Sequence, residues 1–190
     1  TLPALVRAGL STTGLHARAR RNAVAVVLEA HQWTIPGLDP VFDGYRIVHL
    51  SDLHIDGVPG LQDVLVETLA QIEADLCLMT GDYRFATHGD YVPAVEQLAP
   101  VIASTSAPDG VVGVLGNHDF VEMVPGLERA GMRVLLNESL SISRNGARLI
   151  IAGVADTHYY ETDDLAAALA GVGRDEPVIL MVHSPEMIPE

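Results

Sequence analysis

The chain has 190 residues, 48% hydrophobic and 19% charged, which excludes a disordered chain and allows one good core or at most two small domains. Its basic side chains are 11 Arg and no Lys; Arg7, Arg18, Arg20 and Arg21 lie in a first stretch without acids, leaving 7 Arg against 25 Asp plus Glu, a formal charge of −18, for the rest. That body repels a nucleic-acid backbone. No apolar run approaches the ~18 residues of a membrane span, and the lone Cys77 excludes an intramolecular disulfide and reads as core packing.

Residues 1–35 read as a basic N-terminal arm followed by a lead-in strand, because 23–35 are rich in β-branched side chains. The arm is a candidate for contact with an anionic membrane surface, against the plainer reading of a solvated arm. It lacks the apolar core of a signal peptide. The sequence opens on Thr1, so the natural N-terminus and any targeting segment upstream stay open. Pro36-Gly37-Leu38-Asp39-Pro40 then punctuates the chain, and 36–190 read as one domain.

From Tyr45 onward apolar runs alternate with helical spacing. The run 46–50 reads as a buried strand, with His49 as a satisfied core histidine. Leu61, Val64, Leu65, Leu69 and Ile72 share one helix face. A strand at 76–80 precedes a helix over 91–103, with Pro93 in its first turn. A strand at 111–115 precedes a short helix over 124–130, stopped by Gly131. Asn145-Gly146 between the runs 140–143 and 148–154 is a hairpin signal. A helix over 163–169 and one more buried strand over 178–182 complete the pattern, which predicts an α/β fold with a mostly parallel sheet and added antiparallel strands.

Four polar segments each follow directly on one of these runs: Ser51-Asp52-Leu53-His54, Gly81-Asp82, Gly116-Asn117-His118-Asp119 and His183-Ser184-Pro185. The ends of successive strands are where open α/β sheets place ligands. Asp52 and His54, two apart, can grip one ion; Asp82 is suited to bridge two; Asn117 and His183 offer an amide oxygen and an imidazole to the second. Without a thiolate, the set suits two divalent transition-metal ions of the Mn, Fe, Co or Zn kind. Arg84 is a candidate substrate-binding residue, as a phosphate clamp or merely an ion-pair partner of the acidic surface. His88 and His158 read as exposed loop residues, and Asp156 as a support for His183.

Read as Leu50-Ser51-Asp52-Leu53-His54, Thr80-Gly81-Asp82-Tyr83, Gly116-Asn117-His118-Asp119 and His183-Ser184-Pro185-Glu186, these segments resemble the calcineurin-like metallophosphoesterase superfamily, in its bacterial branch, from about Pro36 to the end. The resemblance implies a four-layer αββα sandwich and a phosphomonoester, phosphodiester or pyrophosphate hydrolase working through a metal-bridging hydroxide. It implies that Asp52 and His54 ligate the first metal, that Asp82 bridges, and that Asn117 and His183 ligate the second. His118 would contact the phosphate and protonate the leaving oxygen, oriented by Asp119, unless Asp119 is only a helix cap. The substrate would be small and phosphorylated, a lipid-linked nucleotide included, and the protein cytoplasmic, peripheral to the membrane through its arm.

The family's final Gly-His-x-His does not occur before Glu190, so the expectation is a C-terminally truncated form with an incomplete sandwich, each ion one imidazole short and the fragment alone inactive or metal-poor. The alternative function is a metal-free scaffold of the same fold that binds protein partners.

Overall fold

A computed structural model describes residue 6 and residues 9–187. Among the described residues, seven strands form two sheets. The first contains β1 (Ile47–Leu50), β2 (Leu76–Met79), β3 (Val111–Gly113) and β4 (Met132–Val134), all parallel and in that order. The second contains β5 (Glu138–Arg144), β6 (Ala147–Gly153) and β7 (Val178–Met181), with β5 antiparallel and β7 parallel to β6. Asn145 and Gly146 both have positive φ (48° and 89°), the two-residue geometry that matches the twist of a hairpin.

The first sheet separates two cores, because alternate strand residues point to opposite faces. Leu76, Leu78, Val112 and Val114 face the second sheet and pack with Ile142, Leu149, Ile151 and Met181. Cys77, Met79 and Val111 face helices α2 (Leu61–Leu69), α3 (Val92–Ser104) and α4 (Val124–Arg129). On α3 the buried positions Ala94, Leu98, Val101 and Ile102 recur at helical spacing. Burial pushes the Cys77 thiol up to about 12, consistent with an inert core residue. The short helix α5 (Leu165–Ala168) contacts β5, and Asp164 caps it by accepting from Ala167 N–H at 2.8 Å. The architecture is α/β, two sheets face to face with helices outside.

Three sequence expectations change. Residues 25–35 form no strand; Val27, Leu28 and Trp33 are exposed there, because a β-branched run with no neighbouring strand has nothing to pair with or pack against. The arm instead contains a helix, α1 (Leu15–Ala23), without a buried residue; Arg18, Arg20 and Arg21 lie on it and Arg7 lies outside the described residues. Strands β1 and β7 are half-exposed edge strands and not buried ones. His49 is accordingly no core histidine: it is exposed, with Nε2 2.9 Å from Thr80 Oγ1.

Candidate metal centre

The turns that leave β1 and β2 are laced together by their backbones. Asp52 N–H donates to Gly81 O, His54 N–H to Asp82 O and Ile55 N–H to Tyr83 O, all within 3.0 Å. Asp52, His54 and Asp82 all hold positive φ (54°, 42° and 55°), a conformation costing a non-glycine residue about 1 kcal/mol or more and often found at functional sites. The lacing holds them there. Beneath it, the buried Asp119 carboxylate accepts from the N–H groups of Asp82 (2.8 Å), Gly116 (2.9 Å), Tyr83 (2.9 Å) and Arg84 (3.3 Å). Burial pushes its acid up to about 6; the Gly116 N–H opposes this shift and the Asp82 charge adds to it.

Asp82 stands at the middle with 4% exposure. Its Oδ2 lies 3.7 Å from His54 Nε2 and 3.8 Å from His118 Nε2, and its Oδ1 lies 3.4 Å from His183 Nε2. Each carboxylate oxygen thus serves a different cluster: His54, Asp82 and His118 on one side, Asp52, Asp82 and His183 on the other. Asn117 joins the second side, its Oδ1 3.1 Å from His183 Nε2. The structure brings Asp52, His54, Asp82, Asn117, His118 and His183 together.

The three imidazoles are held in one way. Nδ1 of His183 lies 2.7 Å from Thr80 O, that of His54 2.7 Å from Arg84 O, and that of His118 2.7 Å from Phe85 O. A carbonyl only accepts, so Nδ1 carries a proton and donates, which turns Nε2 of each ring inward. For His183 that Nε2 faces Asn117 Oδ1 and Asp82 Oδ1, both acceptors. Such a set is satisfied by a proton on Nε2 or by a cation held among the three atoms. Two ligand atoms about 2.1 Å from one ion sit about 3.0–3.4 Å apart at ordinary angles, close to the 3.1 and 3.4 Å found here. The donor set fits divalent ions, and ligand histidines fixed by a second hydrogen bond are the usual supporting arrangement.

Two assigned roles do not match the geometry, and a third supporting role fails with them. Asp119 does not orient His118; it ties the β2 and β3 turns together, and the Phe85 carbonyl holds the ring. Arg84 is fully buried, with Nη2 donating to His88 O at 2.8 Å and its guanidinium 4.1 Å over the Phe120 ring, so it braces the 84–90 loop and offers no exposed phosphate clamp. Asp156 does not support His183: it accepts from Tyr159 and Tyr160 N–H, while Thr80 O holds the histidine. His88 is exposed as expected, and His158 pairs with Glu186 at 2.8 Å. Sequence reasoning missed the carbonyls of Thr80, Arg84 and Phe85, for which no residue type is a signal. It also missed the buried Tyr83 hydroxyl, which lies 3.0 Å from Met79 O and 2.8 Å from Val114 O, between β2 and β3.

The sequence is similar to several known proteins. An uncharacterized metallophosphoesterase of Aquifex aeolicus is 29% identical over 75% of this chain and 56% of its own length. The Bacillus subtilis metallophosphoesterase YkuE, also uncharacterized, is 28% identical over 76% of this chain and 52% of its length. UDP-2,3-diacylglucosamine pyrophosphatase LpxG of Chlamydia trachomatis is 30% identical over 48% of this chain and 28% of its length. The chain therefore spans about half the length of the first two relatives and less of the third. A solved archaeal phosphodiesterase superposes with a TM-score of 0.40 at 14% identity, over 75% of this chain and 87% of that one. The sequence model of the calcineurin-like phosphoesterases matches residues 45–185, a span that holds every side chain of the cluster around Asp82, and the chain belongs to that family.

Proposed function

We infer that the protein hydrolyses a phosphoric ester or pyrophosphate bond with two divalent metal ions, Mn, Fe, Co or Zn. Asp52 and His54 would hold the first ion, Asn117 and His183 the second, and Asp82 would bridge them. The position of Asp82, with one oxygen toward His54 and the other toward His183, carries this reading; Asp52 gathers with Asp82 and His183 and not with His54, so its place on the first ion rests on the family resemblance alone. When bound, such ions supply Lewis acidity and an acidified water as nucleophile at neutral pH.

The chain's own residues do the rest. His118, with Nδ1–H committed to the Phe85 carbonyl, keeps Nε2 free at the margin of the centre to hold a proton for the leaving oxygen. Asp119 keeps the β2 and β3 turns in register so that Asp82 and Asn117 meet. The name of the LpxG relative, a pyrophosphatase of a diacylated nucleotide sugar, supports a small phosphorylated substrate that is lipid-linked. We assign the protein a cytoplasmic place at an anionic membrane surface, supported by Arg18, Arg20 and Arg21 of α1 and the exposed Val27, Leu28 and Trp33 that follow. Among the described residues no helix is long and apolar enough to cross a membrane.

The test uses the full-length protein, a chromogenic phosphodiester and added Mn²⁺. Asp82→Asn should lose most bound metal and nearly all turnover. His118→Ala should keep metal and lose roughly 10²–10⁴-fold in kcat, the usual worth of a general acid. Near wild-type turnover in both variants would refute the reading, and a full-length protein free of metal would favour the scaffold.

A further inference from the structure

Phe85 breaks the pattern of its surroundings. The segment that leaves β2 is buried through Asp82, Tyr83 and Arg84, yet the next side chain, Phe85, is 60% exposed beside the metal centre. A single exposed phenylalanine is ordinary. This one is fixed by its backbone and by the turn beneath it. Its N–H donates to Asp56 Oδ1 at 2.6 Å, and its carbonyl accepts from His118 Nδ1–H at 2.7 Å. The root of its ring lies against Gly57, where a Cβ would stand 2.6 Å from Phe85 Cγ, 2.7 Å from Cβ and 2.8 Å from Cδ2. Gly57 is not among the glycines of positive φ, so the backbone there would admit a side chain; the close approach of Phe85 is what excludes one. The turn is bare at 57, and an aromatic ring is seated on it that stays largely in solvent.

The seat borders the reacting atoms. The Phe85 ring stands edge to face with His54, centroids 5.9 Å apart at 84°, and the His54 ring stands 4.9 Å from that of His118. Nε2 of these two histidines lies 3.7 and 3.8 Å from one and the same oxygen of Asp82, Oδ2. Phe85, His54 and His118 thus form one side of the centre, the side on which His118 serves the leaving oxygen. A substituent borne by that oxygen departs past His118 and His54, and the ring of Phe85 is the apolar surface beside them. The charge in contact with Phe85 is the Asp56 carboxylate, which disfavours an anionic substituent there. An open aromatic face favours a flat apolar one, by stacking as well as by area removed from water.

We propose that the Phe85 side chain is a substrate-binding wall that receives the aromatic or other flat apolar group borne by the leaving oxygen, with Gly57 seating the ring. The proposal rests on phosphoester hydrolysis at the adjoining centre and deepens it. Among small phosphorylated substrates it selects esters of ring-bearing alcohols over those of short-chain or anionic ones.

The test uses the full-length, Mn²⁺-loaded protein and two hydrolysis-resistant probes, benzylphosphonate and ethylphosphonate. Both carry a methylene in the place of the leaving oxygen, followed by a ring in one and a methyl group in the other. By calorimetric titration, wild type should bind benzylphosphonate roughly tenfold more tightly, the order expected of one aromatic contact with the area it buries. The ratio of the two affinities cancels any change in the ions themselves. Phe85→Ser keeps the backbone N–H and carbonyl and removes the ring, so the ratio should fall to about one, whereas Phe85→Tyr should keep it. Gly57→Ala leaves Phe85 in the chain but pushes its ring off the seat, so the ratio should fall there too; this variant decides the matter should Phe85→Ser fail to fold. Equal binding of the two probes by wild type, or a ratio unchanged in Phe85→Ser, overturns the proposal. A ratio lost in Phe85→Tyr as fully as in Phe85→Ser also overturns it, and a ratio unchanged in Gly57→Ala overturns the seat assigned to Gly57. If p-nitrophenyl phosphate or its methyl diester is hydrolysed in any of these cases, the phosphoesterase reading stands. Discriminating phosphonate binding without turnover of either ester refutes the phosphoesterase reading instead.

Discussion

Gly81 and Gly60 offer a matched pair in which only the surroundings differ. Gly81 sits at φ +94° and Gly60 at φ +90°, so alanine brings the same backbone strain to both, about 1–2 kcal/mol. A Cβ on Gly60 meets nothing within 4 Å. One on Gly81 would lie 2.4 Å from Gly116 N, 2.7 Å from Gly116 Cα and 2.8 Å from Leu115 C, all backbone atoms that no rotamer change can move away. Reaching an ordinary contact of 3.4 Å requires the β2 and β3 ends to part by 1 Å. Overpacking of this kind adds ~1–3 kcal/mol, so Gly81→Ala should cost roughly 2–5 kcal/mol in all. For a domain of this size each kcal/mol is about 2–4 °C in Tm, giving a fall of about 2–8 °C for Gly60→Ala and about 4–20 °C for Gly81→Ala. The same 1 Å opening would break the bond from His118 N–H to Asp82 Oδ1, now 2.9 Å, and widen the spacing of Asp82 from His183, now 3.4 Å. Mn²⁺ affinity should therefore fall about 10–100-fold in Gly81→Ala and stay unchanged in Gly60→Ala. Thermal unfolding and calorimetric metal titration of both variants supply the comparison. Equal Tm and equal metal affinity in the two would refute the claim that close approach of β2 and β3 builds the centre.

Other expectations follow from single contacts. Asp119→Ala orphans the N–H groups of Asp82, Tyr83 and Gly116; after relief of a buried charge the net loss should be about 3 kcal/mol, and a Tm shift below about 2 °C would contradict the tie assigned to it. Tyr83→Phe removes the hydroxyl shared by the Met79 and Val114 carbonyls and should cost about 1–2 kcal/mol in urea unfolding. Burial alone would raise the Asp75 carboxyl, but the Arg46 N–H and the Arg144 guanidinium more than offset it and hold the acid below its usual range. Stability from this group is therefore present above about pH 4 and lost as pH falls through the lowered value. Arg144→Gln should be less stable than wild type at pH 6, with a gap that narrows on acidification below about pH 4; a gap independent of pH would show that the ion pair is not its source.

Much of the fold was legible because its signals are local. The run Leu76-Cys77-Leu78-Met79 reads as buried strand and is one, since both of its faces meet a core. Asn145-Gly146 reads as a hairpin turn because few other residues accept positive φ twice in succession. Ile47-Val48-His49-Leu50 looks equally buried in one dimension, yet β1 is an edge, because whether a strand has one neighbour or two depends on the order of strands and not on its own residues. The β-branched residues of 23–35 misled for a related reason: strand propensity takes effect only when a partner strand arrives.

The sequence by itself determined the polar inventory and its placement, with Asp52, His54, Asp82, Asn117 and His183 each just beyond an apolar run, and the family with it. Only the tertiary structure decided which atom faces which. It split the Asp82 oxygens between two clusters, set Asp119 beneath the turns and buried Arg84 against Phe120. Residue type and spacing specify what chemistry a position can offer. A hydrogen-bond partner 37 residues away for Asp119, or 103 away for His183, exists only once the sheets have closed.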